Sequence, residues 1–111
     1  MGEIIMSALG TEFKYGIRIQ EIDGYKLKDY DFDVTTYVYT NKSVTYKKGD
    51  TKHIKPIDND SYMVIVPLDD AMKIGRGMVM AKVTCHIPDA DFQDGYRTAV
   101  YDKLYTGWTI T

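Results

Sequence analysis

The run "MVMAKVTCHI", Met78 to Ile87, decides the fold class. Val79, Ala81, Val83, Cys85 and Ile87 fall on one parity; Met78, Met80, Lys82, Thr84 and His86 fall on the other. Successive side chains of a strand point to opposite faces, so a strict period of two predicts a strand with one apolar face against a core. The same period returns upstream. Phe32, Val34, Thr36 and Val38 alternate with Asp33, Thr35, Tyr37 and Tyr39, which gives an apolar face and a face striped with tyrosine. Phe13, Tyr15, Ile17 and Ile19 alternate with Lys14, Gly16, Arg18 and Gln20.

Between these lie shorter elements and their punctuation. Turn signals stand at Asp23-Gly24, Thr40 to Ser43, Lys47 to Asp50 and Asp58 to Asp60. Val44-Thr45-Tyr46 starts a short strand, and His53 to Ile57 forms another that Pro56 confines to a sheet edge. Tyr62 to Val66 is a continuous apolar run, too short for a stable helix and rich in β-branched residues, which suits a central strand. Leu68 to Met72 has room for one helical turn, and Gly75 and Gly77 bracket Arg76 before the chain re-enters a strand. Downstream, a strand is expected from Arg97 to Tyr105, a turn at Thr106-Gly107, and a final short strand from Trp108 to Ile110. Without crossover helices a parallel α/β sheet is excluded. The expectation is an all-β fold: a single antiparallel β-sandwich or small barrel of about seven to eight short strands over residues 11–111, preceded by a flexible N-terminal arm over residues 1–10.

Composition narrows the class of function. A chain of 111 residues with 44% hydrophobic and 27% charged residues suits one packed domain. The net charge of −2 and the lack of a Lys/Arg block argue against nucleic acid as a partner. One cysteine, Cys85, excludes an intramolecular disulfide. "MGEIIMSALG" carries Glu3 and only a short apolar run, unlike a signal peptide, and Met6 stands where myristoylation needs Ser or Thr. No apolar run approaches the roughly 18 residues of a membrane helix, so a soluble protein made in a cytoplasm is expected, with no membrane partner. Ten tyrosines against one tryptophan and three phenylalanines suit half-buried strands and also interfaces.

The densest polar stretch is "HIPDADFQDGYRT", His86 to Thr98. It places Asp89, Asp91 and Asp94 just ahead of Gly95. Read as an EF-hand from Asp89, the fifth ligand position is Gln93, the required glycine comes one residue late, and the bidentate twelfth position is Val100. An irregular cation site and a solvated strand connection, punctuated by Pro88 and Gly95, both stay open. Phe92, an aromatic among acids, either packs back on the sandwich end or meets a neighbouring subunit. Cys85 and His86 are adjacent on a strand and so point to opposite faces, which disfavours a shared zinc ion and a nucleophile pair; Cys85 reads as a buried small hydrophobe. Neither a nucleophile elbow, a phosphate loop nor a dinucleotide fingerprint is present, and nothing marks Asp69-Asp70 as an acid/base pair. Asn41-Lys42-Ser43 and Asn59-Asp60-Ser61 match the glycosylation sequon without a secretion signal to give them context. No catalytic residue, metal or cofactor is expected.

Taken together, "ALGTEFKYGIRIQEIDGYKLKDYDFDVTTYVYTNKSV" and "IPDADFQDGYRT" resemble small head-fibre and capsid-decoration proteins of crAss-like tailed phages, which infect gut Bacteroidales. The first strand, its Asp-Gly turn and the next strand are also similar, more weakly, to the N-terminal β-sandwich of phage baseplate adaptors. The resemblance spans about Ala8 to Ile110. It implies a non-enzymatic virion component on the outer capsid surface, made in the host bacterial cytoplasm. Such a protein forms or attaches short fibres as an oligomer, plausibly a homodimer, with other capsid or fibre proteins as partners. Candidate assembly contacts are Ile4, Ile5 and Met6 in the arm, Tyr37 and Tyr39 on the face opposite the core, and Phe92. The alternatives are a carbohydrate-binding β-sandwich module, which needs coplanar exposed aromatics, and a baseplate or tail-fibre adaptor.

Overall fold

The computed structural model of the chain describes residues 12–39 and 41–110. Seven strands form where the period of two runs: β1 (Phe13–Arg18), β2 (Asp31–Tyr39), β3 (Lys42–Lys47), β4 (Ile54–Pro56), β5 (Ser61–Val66), β6 (Gly77–Pro88) and β7 (Tyr96–Ile110). A helix, α1 (Leu68–Ile74), joins β5 to β6. The strands make two sheets, in the orders β1-β5-β4 and β3-β2-β6-β7, with every ladder antiparallel. No ladder joins the two sheets among the described residues, so the architecture is an open sandwich rather than a barrel. β5 lies central and β4, with Pro56, lies at an edge, as the sequence predicts.

The registers carry the apolar parity from strand to strand. Phe13, Tyr15 and Ile17 of β1 face Val66, Val64 and Tyr62 of β5, and Ile54 of β4 continues the row beside Val64. In the other sheet Phe32, Val34 and Thr36 face Cys85, Val83 and Ala81, while Tyr46 and Val44 of β3 flank Val34 and Thr36. These residues are buried and form one core between the sheets. A one-residue slip in any ladder would turn a whole row to solvent, which is why the alternation fixes register as well as face.

Thr36 is the buried polar residue of this core. Its Oγ1 lies 2.5 Å from the hydroxyl of Tyr15, across the gap between the sheets. Burial of the ring raises the Tyr15 pKa well above the ordinary phenol value, so the hydroxyl stays protonated and remains able to donate.

Two elements depart from the sequence reading. α1 is seven residues long, about two turns rather than one. Only Ala71 and Ile74, three positions apart, are buried, which is too short a stripe to register as a helical period. The helix is secured from outside its own sequence, because Tyr46 of β3 donates to Asp70 Oδ2 at 2.6 Å. The second departure is at Thr106-Gly107. The chain does not turn there; β7 runs on as one strand, with register shifts opposite Met78–Met80 and Ala81–Val83. Lys103 (φ 58°) and Gly107 (φ 92°) take positive φ at these slips, the backbone signature of bulges. Thr106 Oγ1 donates to Val79 O at 2.9 Å, and the Trp108 indole donates to Lys14 O of β1 at 2.9 Å, so the end of β7 ties the two sheets together. At the start of β6, Gly77 (φ 133°) is obligatory: a Cβ there would come within 2.7 Å of Val38 Cγ1.

The Tyr15–Thr36 bond gives a stability prediction. Thr36→Val leaves a buried hydroxyl without a partner and should cost about 1–3 kcal/mol in urea unfolding. Tyr15→Phe with Thr36→Val removes both groups and should cost clearly less than the sum of the single changes. Additive single effects would show that the two hydroxyls are not coupled.

Candidate functional site

The surface that stands out is the outer face of the four-stranded sheet. There Tyr37 of β2 faces Met80 of β6, which faces Tyr105 of β7; Met78 faces Thr109; Thr84 faces Val100; and Pro88 faces Tyr96. Met78, Tyr96, Val100 and Tyr105 are exposed. Exposed apolar side chains scattered singly are ordinary, but Tyr96, Val100 and Tyr105 on β7 and Met78 on the neighbouring β6 share one sheet face, which makes that face the candidate contact surface.

The candidate contacts from the sequence fall out unevenly. Ile4, Ile5 and Met6, with the rest of the arm, lie outside the described residues. Tyr37 does lie on the face opposite the core, but it is not exposed: only 8% of it meets solvent. Its side chain reaches across the outer face of β6, and its hydroxyl donates to Asp102 Oδ1 of β7 at 2.6 Å. Asp102 is far away in sequence, so alternation alone could not reveal the contact. Tyr37 is therefore a packed residue and is withdrawn as a free contact. Tyr39 is 56% exposed at the end of β2. Phe92 is 50% exposed, so it does not pin its loop by packing back on the sandwich.

The loop of Phe92 is organised by its own backbone. Asp89 N donates to Gly95 O, Gly95 N to Phe92 O, and Asp91 N to Asp89 Oδ1. Gly95 takes φ 82°, the conformation for which glycine suits the turn. Asp89 also lies 3.7 Å from Arg97 Nε, while Asp91 and Asp94 are exposed. The aspartates are thus divided between a turn, an ion pair and solvent. Among the described residues no group of three His, Cys, Asp or Glu side chains converges.

One polar cleft sits at the Pro88 end of the outer face. Cavities of about 440 and 300 Å³ meet there and share Asp31, Lys48 and His86. The lysine that both cavities share is already engaged: Lys48 Nζ donates to Lys28 O at 2.6 Å and Tyr30 O at 2.8 Å, and burial lowers its pKa. His86 lies 3.7 Å from Asp33 and meets the ring of Tyr96 edge-on at 4.8 Å. His53 is elsewhere, bonded to Asp50 and stacked on Tyr46. Cys85 faces the core while His86 faces out, as strand geometry predicts, and burial pushes the Cys85 thiol up, away from a reactive thiolate. The cleft is a braced corner in which no side chain is placed as a nucleophile with an adjacent base.

The feature that sequence reading missed is an edge. Among the described residues the sandwich ends in four edge strands: β1 and β4 in one sheet, β3 and β7 in the other. Proteins blunt such edges with charge, proline and bulges. β1 carries Lys14 and Arg18, β3 carries Lys42 and Lys47, and β4 carries Lys55 and Pro56. The second half of β7 has its two bulges. The first half, Tyr96 to Tyr101, pairs with β6 in unbroken register and carries one charge, Arg97, whose guanidinium is held by Asp23 and Asp89. Strand order, which makes β7 an edge, is set by long-range pairing and has no local signature.

No family model, curated protein or solved structure matches this chain.

The Tyr37–Asp102 pair makes a pH prediction. The Tyr37 hydroxyl, and then the Lys103 backbone N–H, hold the Asp102 carboxyl below its ordinary value. A depressed carboxylate contributes stability above its unfolded pKa and loses it as pH falls through the folded one. Between about pH 5 and pH 2 the wild type should lose more stability than Asp102→Asn, whose amide oxygen still accepts from Tyr37 but does not titrate. Parallel pH profiles for the two proteins would contradict this role.

Proposed function

We propose that this chain is a non-catalytic structural protein of a phage virion, forming or attaching short fibres on the capsid exterior as a homo-oligomer, most simply a dimer. The observation that carries the assembly part of this reading is the surface of β7. Its first half is a regular, nearly uncharged edge that pairs with no other strand among the described residues, and it bears exposed Tyr96 and Val100 on the outer face. The virion setting rests on the resemblance of "IPDADFQDGYRT" and the N-terminal strands to head-fibre proteins, whose small size and lack of enzymatic machinery suit this sandwich. Exposed Tyr39 and Phe92 remain candidate contacts to other capsid or fibre proteins.

A glycan-binding module needs a platform of coplanar exposed rings. The ring contact of an exposed tyrosine here is Tyr96 against His86, at 67° between planes. Tyr39 and Tyr105 have no ring partner among the described residues. That geometry supports assembly over sugar stacking.

Two measurements test the proposal. The purified protein should show by light scattering about twice its 12.7 kDa chain mass at high concentration. Gradient-purified particles of the phage that encodes it should retain the protein through high-salt washing. A monomer at every concentration that is missing from particles, or that binds a glycan array, would overturn it.

A further inference from the structure

We infer that the first half of β7 is a two-fold seam, on which a second copy of this chain pairs antiparallel with itself about Thr98. The inference rests on the self-association proposed above and not on the virion setting. It begins with the direction of the backbone groups. Asp89 N donates to Gly95 O at the mouth of the β6–β7 hairpin. Hydrogen-bonded positions alternate along an antiparallel ladder, so Arg97, Ala99 and Tyr101 turn their N–H and C=O groups toward β6. Tyr96, Thr98 and Val100 turn theirs to the free edge. Pro88, opposite Tyr96, fits this phase, because a non-hydrogen-bonded position on the ladder to β7 needs no N–H there.

A strand that pairs with its own copy across an axis normal to the sheet must place side chains of the same face opposite each other. Only registers centred on a residue do so. Centred on Thr98, Thr98 meets Thr98 and Tyr96 meets Val100 on both sides of the axis. Every free N–H and C=O of Tyr96, Thr98 and Val100 then finds a partner, about six hydrogen bonds in all, two at each of these pairs. Centred on Ala99, Tyr96 would fall opposite Asp102, beside the Lys103 bulge, and its bonds would be lost.

The side chains agree with the Thr98 register. Tyr96 against Val100 is an aromatic–β-branched pair and Thr98 against Thr98 a hydroxyl pair, both favourable across antiparallel strands. Arg97 falls opposite Ala99, so no charge meets its like within the paired segment, and Arg97 is already neutralised within its own chain. The other edges are closed by Lys14 and Arg18, by Lys42 and Lys47, and by Lys55 and Pro56, which leaves β7 as the edge that accepts a strand. The product is one continuous eight-stranded sheet, two copies of the β3-β2-β6-β7 order, with both sandwich cores on the same side.

Thr98→Pro tests the seam. The ladder phase turns the Thr98 N–H away from β6 and no strand pairs with that edge among the described residues, so proline there removes no bond of the β6–β7 ladder but deletes two bonds across the axis. Self-association should weaken at least about tenfold, with an unchanged circular dichroism spectrum and melting midpoint for the monomer. Val100→Lys, which changes only a side chain on the exposed face, should weaken it as well and guards against a folding defect in the proline variant. In the wild-type background Thr98→Cys should cross-link with a short bis-maleimide, since paired Cα atoms at the axis stand about 5.5 Å apart. Ser43→Cys on the opposite edge should not. A dimer that survives both Thr98→Pro and Val100→Lys, or that cross-links through Ser43→Cys instead, overturns the seam while leaving the structural role intact. A wild-type protein that stays monomeric overturns both.

Discussion

The sandwich depends on a polar contact that bridges its two sheets through a largely apolar interior, the bond between Tyr15 and Thr36. Hydrophobic burial brings the two sheets together but is non-directional, so it specifies their relative position less sharply than a directed bond does. A buried hydroxyl pair cannot slide. Each group loses water on folding and regains a hydrogen bond only at one relative position of β1 and β2. Once that position is set, the registers of the ladders in the two sheets fix what reaches the surface. Phe32, Val34, Val83 and Cys85 go inward, and the opposite parity of β6, with Met78, Met80 and His86, goes outward. The outer face and its edge are the reverse side of the same alternation that builds the core.

Much of this was legible in the residues. The strict parity of Met78 to Ile87 gives β6, its buried face and the burial of Cys85. The β-branched run at Tyr62 to Val66 gives a central strand, and Pro56 gives an edge. What was not legible depends on partners distant in sequence. Tyr37 alternates like an exposed residue, yet it is buried, lying across β6 with its hydroxyl bonded to Asp102 of β7. α1 presents too short a stripe to be seen, and is stabilised by Tyr46 from another strand. Gly107 carries the same local signal for a turn and for a bulge. The choice is made by Thr106 and Trp108, which hold β7 to Val79 and Lys14.

The stretch from Asp89 to Gly95 shows how a polar cluster can serve geometry instead of chemistry. Its carboxylates cap a backbone N–H, pair with Arg97 or face water. Its turn also sets the phase of the hairpin, and that phase determines which residues of β7 offer hydrogen-bonding groups to the free edge. The loop therefore connects to the proposed assembly role through the backbone. It orients Tyr96, Thr98 and Val100, and leaves Phe92 exposed beside them in sequence.

Amide hydrogen exchange as a function of protein concentration tests the central claim most directly. The proposed seam predicts an alternating response along one strand. The amides of Tyr96, Thr98 and Val100 should gain protection as concentration rises through the dimerisation range, while those of Arg97, Ala99 and Tyr101, bonded to β6 throughout, should stay constant. Fast exchange at Tyr96, Thr98 and Val100 at every concentration, in a protein that nonetheless dimerises, would contradict the seam and place the contact elsewhere on the sandwich.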